Sequence, residues 1–148
     1  MQILTIMLLV GTLFLGMVAG GQDATERPAY IKTLSSAIQL DDSAVGFANQ
    51  KTTTFKAFAE AYLAGASVRT ELDWLLTHGS GAGKIYAAIL IETLDKEAGK
   101  KAYEALKDDK TPINYRSGSL IEERTVGDLA NGLLNGEQVI IFPPNLKR

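Results

Sequence analysis

Residues 84–94, KIYAAILIETL, decide the fold, because every side chain from Ile85 to Ile91 is apolar. A helix on the surface of a globular protein carries its apolar side chains along one stripe. A helix that is apolar on nearly every side has to be surrounded by other elements. The stretch therefore predicts a central helix, and we expect the rest of the domain to pack around it.

The segment after the central helix predicts a second helix that packs against it. Asp95 is a typical N-cap, because its side chain can accept a hydrogen bond from a free backbone N–H at the start of a helix. Residues 96–107 then present one small apolar face, formed by Ala98, Ala102, Ala105 and Leu106. Because the connection is so short, residues 84–107 are expected to form an antiparallel helical hairpin.

Two helices are also predicted over residues 54–78, before the central one. The apolar stripes at helical spacing are Phe55, Phe58, Ala59, Tyr62 and Leu63 in the first, and Val68, Leu72, Leu75 and Leu76 in the second. The connector, residues 64–66, is so short that we expect an antiparallel hairpin here as well. Further upstream we predict a helix over residues 28–39 and a break at residues 40–43, with Asp41 and Asp42 in a solvated turn.

The periodicity changes after residue 110. Residues 112–116 and 119–124 flank a Ser117-Gly118 turn, which predicts a small β-hairpin or an extended loop. Thr125 can cap a last helix over Val126–Leu134, and residues 138–142 predict a short strand that ends at Pro143. The predicted fold class is therefore mainly α, with α-helical hairpins and a small β-hairpin or short strands near the C-terminus.

The N-terminal segment predicts export. Residues 3–19, ILTIMLLVGTLFLGMVA, carry no charge, and small residues occupy positions 18–21 at the end of this run. This pattern is typical of a signal peptide over residues 1–21, which leaves 22–148 as a single α-rich domain that is secreted or periplasmic. The alternative is an uncleaved membrane anchor, since the run approaches the length that spans a bilayer.

Composition excludes several functions. The chain of 148 residues carries 15 Lys and Arg against 17 Asp and Glu, a formal net charge of −2. A general nucleic-acid binder needs a basic excess to displace counterions, so nucleic acid is disfavoured as a partner. With no Cys and a single His, disulfides, cysteine-based metal sites and two-imidazole sites are excluded. We assign no catalytic, cofactor-binding or metal-binding residue.

The glycine-rich stretch HGSGAGK, residues 78–84, is a candidate for anion binding. A Walker loop needs glycine where this chain has His78, and Ser or Thr where it has Ile85. We therefore interpret the stretch as a connector between helices. The alternative is a small hydrolase or a phosphate-ligand-binding protein that uses the Gly79–Lys84 loop, with Lys84 and His78 in a concave pocket beside at least one carboxylate. Ser80 is a further candidate ligand contact.

Tyr115 and Arg116 on the predicted hairpin are candidate contacts for a partner, because Tyr and Arg are favoured at interface centres. Trp74 lies off the apolar stripe of its helix, so it packs against another element or is exposed to a partner. The leading hypothesis is a non-catalytic protein that binds another envelope or extracellular macromolecule through a helical or hairpin face, and that meets a membrane only through an uncleaved leader. The paired acids Asp108-Asp109 and Glu122-Glu123 are interpreted as solvated turns.

The leader prediction is tested by intact-mass measurement of the protein after expression in a secreting host. Cleavage before Gly21 or before Gln22 places small residues in the shallow pockets of the peptidase. We therefore expect a mass that corresponds to loss of residues 1–20 or 1–21. Recovery of the full-length mass from a membrane fraction would instead establish the uncleaved anchor.

Overall fold

The computed structural model describes residues 26–45, 50–143 and 146, so the predicted leader lies outside the described residues. The chain is mainly helical, as predicted, and carries a small sheet. The helices are α1 (Ala29–Ser35), α2 (Thr53–Ala64), α3 (Arg69–His78), α4 (Gly81–Leu94), α5 (Lys96–Leu106) and α6 (Val126–Leu134), with a 3₁₀ turn at Gly65–Val68. The strands are β1 (Gln39–Val45), β2 (Pro112–Gly118) and β3 (Leu120–Thr125).

Helix α4 is the central element, as its sequence predicts. Every side chain from Ile85 to Ile91 is buried, and α4 contacts helices α1, α2, α3, α5 and α6 as well as strands β1 and β2. The helix begins at Gly81, earlier than the apolar run, because the Ser80 hydroxyl caps it by accepting a hydrogen bond from the Gly83 N–H at 3.1 Å.

The predicted hairpin of α4 and α5 is confirmed. The Asp95 carboxylate caps α5 by accepting from the Ala98 N–H at 3.0 Å. At Gly99 the two helices come so close that an added Cβ would overlap Glu92. The buried Tyr103 hydroxyl donates to Glu92 Oε2 at 2.7 Å, which joins the helices one turn further along. The close approach explains why α5 presents glycine and alanine to its neighbour.

The predicted hairpin of α2 and α3 is wrong. Helix α2 packs mainly on α1, whereas α3 packs on α4, and the two helices make little contact with each other. At the end of α2, Gly65 has a φ of +62°, a left-handed conformation that glycine adopts without strain. The 3₁₀ turn that follows redirects the chain, so each helix covers a different part of the core.

The prediction for residues 36–43 is also wrong. Helix α1 ends at Ser35, and the expected break belongs to strand β1, in which Asp41 and Asp42 are only 1% and 6% exposed. Strand β1 pairs in parallel with β2 across the sheet order β1-β2-β3. The hydroxyl of buried Tyr86 fixes β1 by accepting from the Asp41 N–H at 2.7 Å and donating to the Asp41 carbonyl at 3.2 Å.

The predicted terminal strand over residues 138–142 is not a strand but an irregular segment that lies against the sheet. We name residues 137–143 the C-terminal segment, and side chains hold it in place. The Asp42 carboxylate accepts from the Ile141 N–H at 2.7 Å, and the Tyr115 hydroxyl donates to the Val139 carbonyl at 2.7 Å. The Phe142 ring packs against Phe58 with centroids 5.5 Å apart. The segment is therefore held in place by these side-chain contacts and not by strand pairing.

The predicted hairpin and last helix are confirmed. Strands β2 and β3 pair antiparallel from Pro112–Thr125 to Ser117–Leu120, and Gly118, with a φ of +57°, makes the turn. Helix α6 begins with a capping box, in which Thr125 and Asp128 each accept the other's backbone N–H. Caps of this kind satisfy backbone groups that the helix itself leaves free.

We predict that Asp42→Ala destabilises the protein and loosens the C-terminal segment. The Asp42 carboxylate accepts from the backbone of Ser43 and Ile141 and from the Ser117 hydroxyl. Its removal leaves buried donors without an acceptor, which costs on the order of 1–3 kcal/mol in the free energy of unfolding. Urea unfolding measures this loss, and amide exchange at Ile141 measures the loosening. Asp108→Ala, at an exposed turn, is the control, and equal losses in the two variants would contradict the role of Asp42.

Candidate functional site

The tip of the β2–β3 hairpin carries the most exposed apolar side chains of the sheet. Leu120 is 57% exposed and Ile121 is 58% exposed, although they are neighbours in a strand. Strand β3 is at the edge of the sheet, so within the described residues its outer edge has no partner strand. We name residues 115–123 the hairpin surface.

The hairpin surface has two faces, because successive side chains in a strand point to opposite sides. Tyr115 and Leu120 lie on one face and, together with Ser117, Glu122 and Glu137, line a cleft of about 260 Å³. Arg116 and Ile121, which are paired across the strands, lie on the other face. An apolar side chain is therefore exposed on each side of the edge strand.

The base of the hairpin is held firmly by the C-terminal segment. Arg124 donates to both Glu137 carboxylate oxygens, at 2.6 and 3.0 Å, and its guanidinium lies 5.9 Å from the centre of the Tyr115 ring. Burial raises the pKa of the Tyr115 hydroxyl above its ordinary value, and the charges of Asp42 and Glu137 raise it further. Tyr115 is therefore a neutral donor to Val139 near neutral pH.

The hairpin surface carries more acidic than basic side chains. Glu122 and Glu123 are exposed, and within the described part of the chain neither forms a hydrogen bond or a close ion pair, although the charge of Glu122 helps to raise the pKa of the Arg124 guanidinium. Arg116, on the same face as Glu123, is half-buried and also lacks such a partner there. Because Arg124 is already paired with Glu137, the carboxylates of Glu122 and Glu123 outnumber the remaining guanidinium of Arg116. This surface is therefore acidic, beside its two exposed apolar side chains.

The structure does not bring the six predicted contact residues onto one surface. Tyr115 and Arg116 lie on opposite faces of β2. Trp74 and His78 lie together on α3, which packs on α1 and α4 and not on the sheet. Ser80 and Lys84 lie at the start of α4. The residues form three separate groups, so any shared role for all six has no geometric basis.

Trp74 packs within its own group. The Arg27 guanidinium lies 3.9 Å from the centre of the indole ring, and Arg27 also pairs with Glu71 at 2.6 Å. The His78 ring stacks on the indole at a centroid distance of 5.0 Å and an interplanar angle of 7°. Flat cationic and aromatic groups stabilise each other in this way. The group therefore fastens the chain before α1 to α3.

The glycine-rich stretch is a close-packed junction. The Ser80 hydroxyl donates to the Ala37 carbonyl at 2.7 Å while it accepts from the Gly83 N–H. A Cβ at Gly83 would lie 2.5 Å from the Leu34 carbonyl oxygen, so glycine allows α4 to approach α1. Lys84 Nζ lies 3.6 Å from Asp109 Oδ2. These contacts support the connector interpretation, because the hydroxyl and the ammonium both face protein groups.

Two negative findings concern the described residues alone. No group of three or more His, Asp or Glu side chains there is arranged to hold a metal ion. None of the helices there combines the length and the apolar character needed to cross a bilayer.

Comparison of the chain with protein-family models, curated proteins and solved structures finds no match.

Sequence reasoning located the hairpin but missed the residues that make it unusual. It selected Tyr115 and Arg116 by residue type and interpreted Glu122-Glu123 as a solvated turn, whereas both glutamates are exposed within β3. The available signal was the order of residues 120–123, Leu-Ile-Glu-Glu. A half-buried strand alternates apolar and polar side chains, so this order indicates an edge strand with an apolar group on each face.

We predict that the Arg124–Glu137 pair contributes to stability near neutral pH and loses that contribution in acid. Hydrogen bonds from Arg124 lower the pKa of Glu137 below its ordinary range, against partial desolvation. A carboxyl with a lowered folded-state pKa stabilises the protein above its unfolded pKa of about 4.3 and loses this effect as the pH falls through the folded value.

Glu137→Gln should therefore be less stable than the parent chain near neutral pH, and the gap should narrow in acid. Because the pair is partly exposed, we expect a difference of at most about 1 kcal/mol at neutral pH. Urea unfolding at both pH values measures the gap. Glu97→Gln, at an exposed carboxyl without an ion-pair partner in the described chain, gives the background. A gap that is the same at both pH values would contradict the prediction.

Proposed function

We propose that the chain is an exported, non-catalytic binding protein that takes up an extended segment of a partner protein along the free edge of β3. The observation that carries the proposal is the exposure of Leu120 and Ile121 on an edge strand. Natural proteins usually protect such an edge, because its unpaired N–H and C=O groups attract other strands. An edge strand that leaves apolar side chains exposed therefore favours a binding role.

The binding mode that fits this edge is strand addition. A segment that pairs with β3 gains main-chain hydrogen bonds, while its alternate side chains contact the two faces of the hairpin. The face with Leu120 offers the cleft beside Tyr115, and the other face offers Ile121 and Arg116. Because Arg124 and Tyr115 hold the hairpin base, the edge is formed before the partner arrives, which lowers the entropic cost of binding.

The charge of the edge favours a basic partner segment. A second copy of β3, laid antiparallel along the first in a central register, would place Glu122 or Glu123 opposite another glutamate. Like charges opposite each other destabilise paired strands. A segment with Lys or Arg at these positions and apolar residues beside them meets both features of the edge.

Export is part of the proposal and is supported by the sequence of the leader. The uncharged run of residues 3–19 and the small residues after it are typical of a signal segment. A partner would then be an envelope or extracellular protein. The mature chain from residue 22 onwards has neither Met nor Cys, which suits an oxidising environment.

Selection of random displayed peptides on the purified protein tests this proposal. We expect the selected peptides to be rich in β-forming and basic residues and to protect the β3 amides from hydrogen exchange. Leu120→Ser/Ile121→Ser should weaken their binding by about tenfold or more, which is roughly 1.4 kcal/mol. Leu63→Ser, near the end of α2, is the matched control, because Leu63 is 52% exposed and is not part of the hairpin surface.

A charge reversal on β3 tests whether the glutamates determine the charge of the selected peptides. Glu122→Lys/Glu123→Lys should shift the selected peptides from basic to acidic, whereas Glu97→Lys, on α5, should leave them basic. If the selected peptides bind the Leu120→Ser/Ile121→Ser variant as well as the parent chain, or if they protect amides elsewhere but not in β3, the proposed edge is not the binding site.

A further inference from the structure

We propose that a second site, between α2 and the C-terminal segment, binds a medium-chain fatty carboxylate. We name it the α2 cleft, and its volume is about 270 Å³. Its described lining consists of Lys51, Phe55, Lys56, Ala59, Glu60, Pro143 and Leu146. It lies away from the hairpin surface, so it does not depend on the function proposed for that surface.

The floor and one wall of the α2 cleft are apolar. Phe55 is 1% exposed and forms the floor together with Ala59, one helical turn further along α2. Pro143 and Leu146 form the opposite wall. Ligand sites typically combine a mostly apolar lining with a few charged or polar groups that fix orientation. The α2 cleft has this composition.

The wall is fixed by the same contacts that order the C-terminal segment. The hydrogen bond from the Ile141 N–H to Asp42 holds the segment just before Pro143. The Phe142 ring packs on Phe58 and Tyr62 with centroid distances of 5.5 and 5.1 Å. The Leu146 N–H donates to the Pro143 carbonyl at 2.9 Å, which ties the two wall residues together. The cleft is therefore preformed by the fold.

The rim of the cleft carries an excess of positive charge. Lys51 and Lys56 are exposed, and neither has a hydrogen-bond or ion-pair partner in the described chain. Glu60, one turn after Lys56, does not pair with it. Lys51 directly precedes the Thr52 cap of α2, and Lys56 is the fourth residue of the helix, whose first turn has no acidic residue. Both lysines therefore belong to the positive end of the helix dipole, where cations are unfavourable. A bound anion would relieve this repulsion.

The shape and the charge together define the ligand class. The volume is slightly below the range of about 300–1,000 Å³ that accommodates drug-sized ligands, so the site suits a small ligand such as a single medium-length alkyl chain. The apolar floor requires an alkyl body, and the two lysines require one negative head group. Lysine ammoniums act as point charges that suit a carboxylate without demanding the planar geometry of arginine.

Titration of the full chain with decanoate labelled at its carboxyl carbon tests the proposal, with decanol as the neutral probe. We expect saturable binding of decanoate that Ala59→Phe weakens by about tenfold or more, since the larger side chain fills the cleft. Lys51→Gln/Lys56→Gln should weaken decanoate binding clearly more than decanol binding. Lys100→Gln/Lys101→Gln, on the exposed face of α5, is the matched control and should leave both unchanged.

A second blocking variant covers the case in which Ala59→Phe does not fold. Leu146→Asp places a carboxylate in the wall without enlarging α2, and it should repel decanoate more than decanol. The proposal is overturned if decanoate does not bind, or if it binds the blocked variants as tightly as the parent chain, since the binding then lies elsewhere, for example on the apolar N-terminal segment. It is also overturned if the lysine variants weaken decanoate and decanol alike.

Discussion

The need to bury α4 on all sides governs the structure. Because the run from Ile85 to Ile91 leaves no polar face, helices and strands from both ends of the chain have to cover it. The one polar atom in that run, the Tyr86 hydroxyl, would be costly to bury alone. It is satisfied by the backbone of Asp41, so the central helix also determines where β1 enters the sheet. Once β1 is placed, β2 pairs with it and the hairpin follows.

The C-terminal segment extends this arrangement to the surface. Asp42, which follows the residue fixed by Tyr86, binds Ile141, and Tyr115 in the neighbouring strand binds Val139. From these two attachments the segment contributes Glu137 to the hairpin base and Pro143 to the α2 cleft. Both surfaces for which we propose ligands are thus shaped by one irregular segment, which is held by side chains of the sheet.

Features encoded by neighbouring residues were predictable, and features that depend on distant residues were not. The apolar run of α4, the Asp95 cap and the Thr125 capping box are local signals, and each marks an element that the structure contains. Strand β1 was missed because Asp41 and Asp42 resemble a turn when read alone. Their burial depends on Tyr86, 45 positions away, and on Ile141, 99 positions away. The spacing of apolar residues along the sequence does not indicate contacts between residues so far apart.

In the candidate site, too, the residue types could be read from the sequence, but the contacts and exposure of single side chains could not. Tyr115 and Trp74 were predicted as contact residues from their residue type alone. An aromatic ring is as useful for packing as for binding, and in the folded chain both rings pack against an arginine. The proposed binding surface rests instead on where the exposed apolar groups lie, since Leu120 and Ile121 are neighbours on an edge strand. The two glutamates after them make that edge unfavourable for pairing with a second copy of itself. This combination of an exposed apolar edge with charges that oppose self-pairing is the reason why we propose a partner segment of opposite charge.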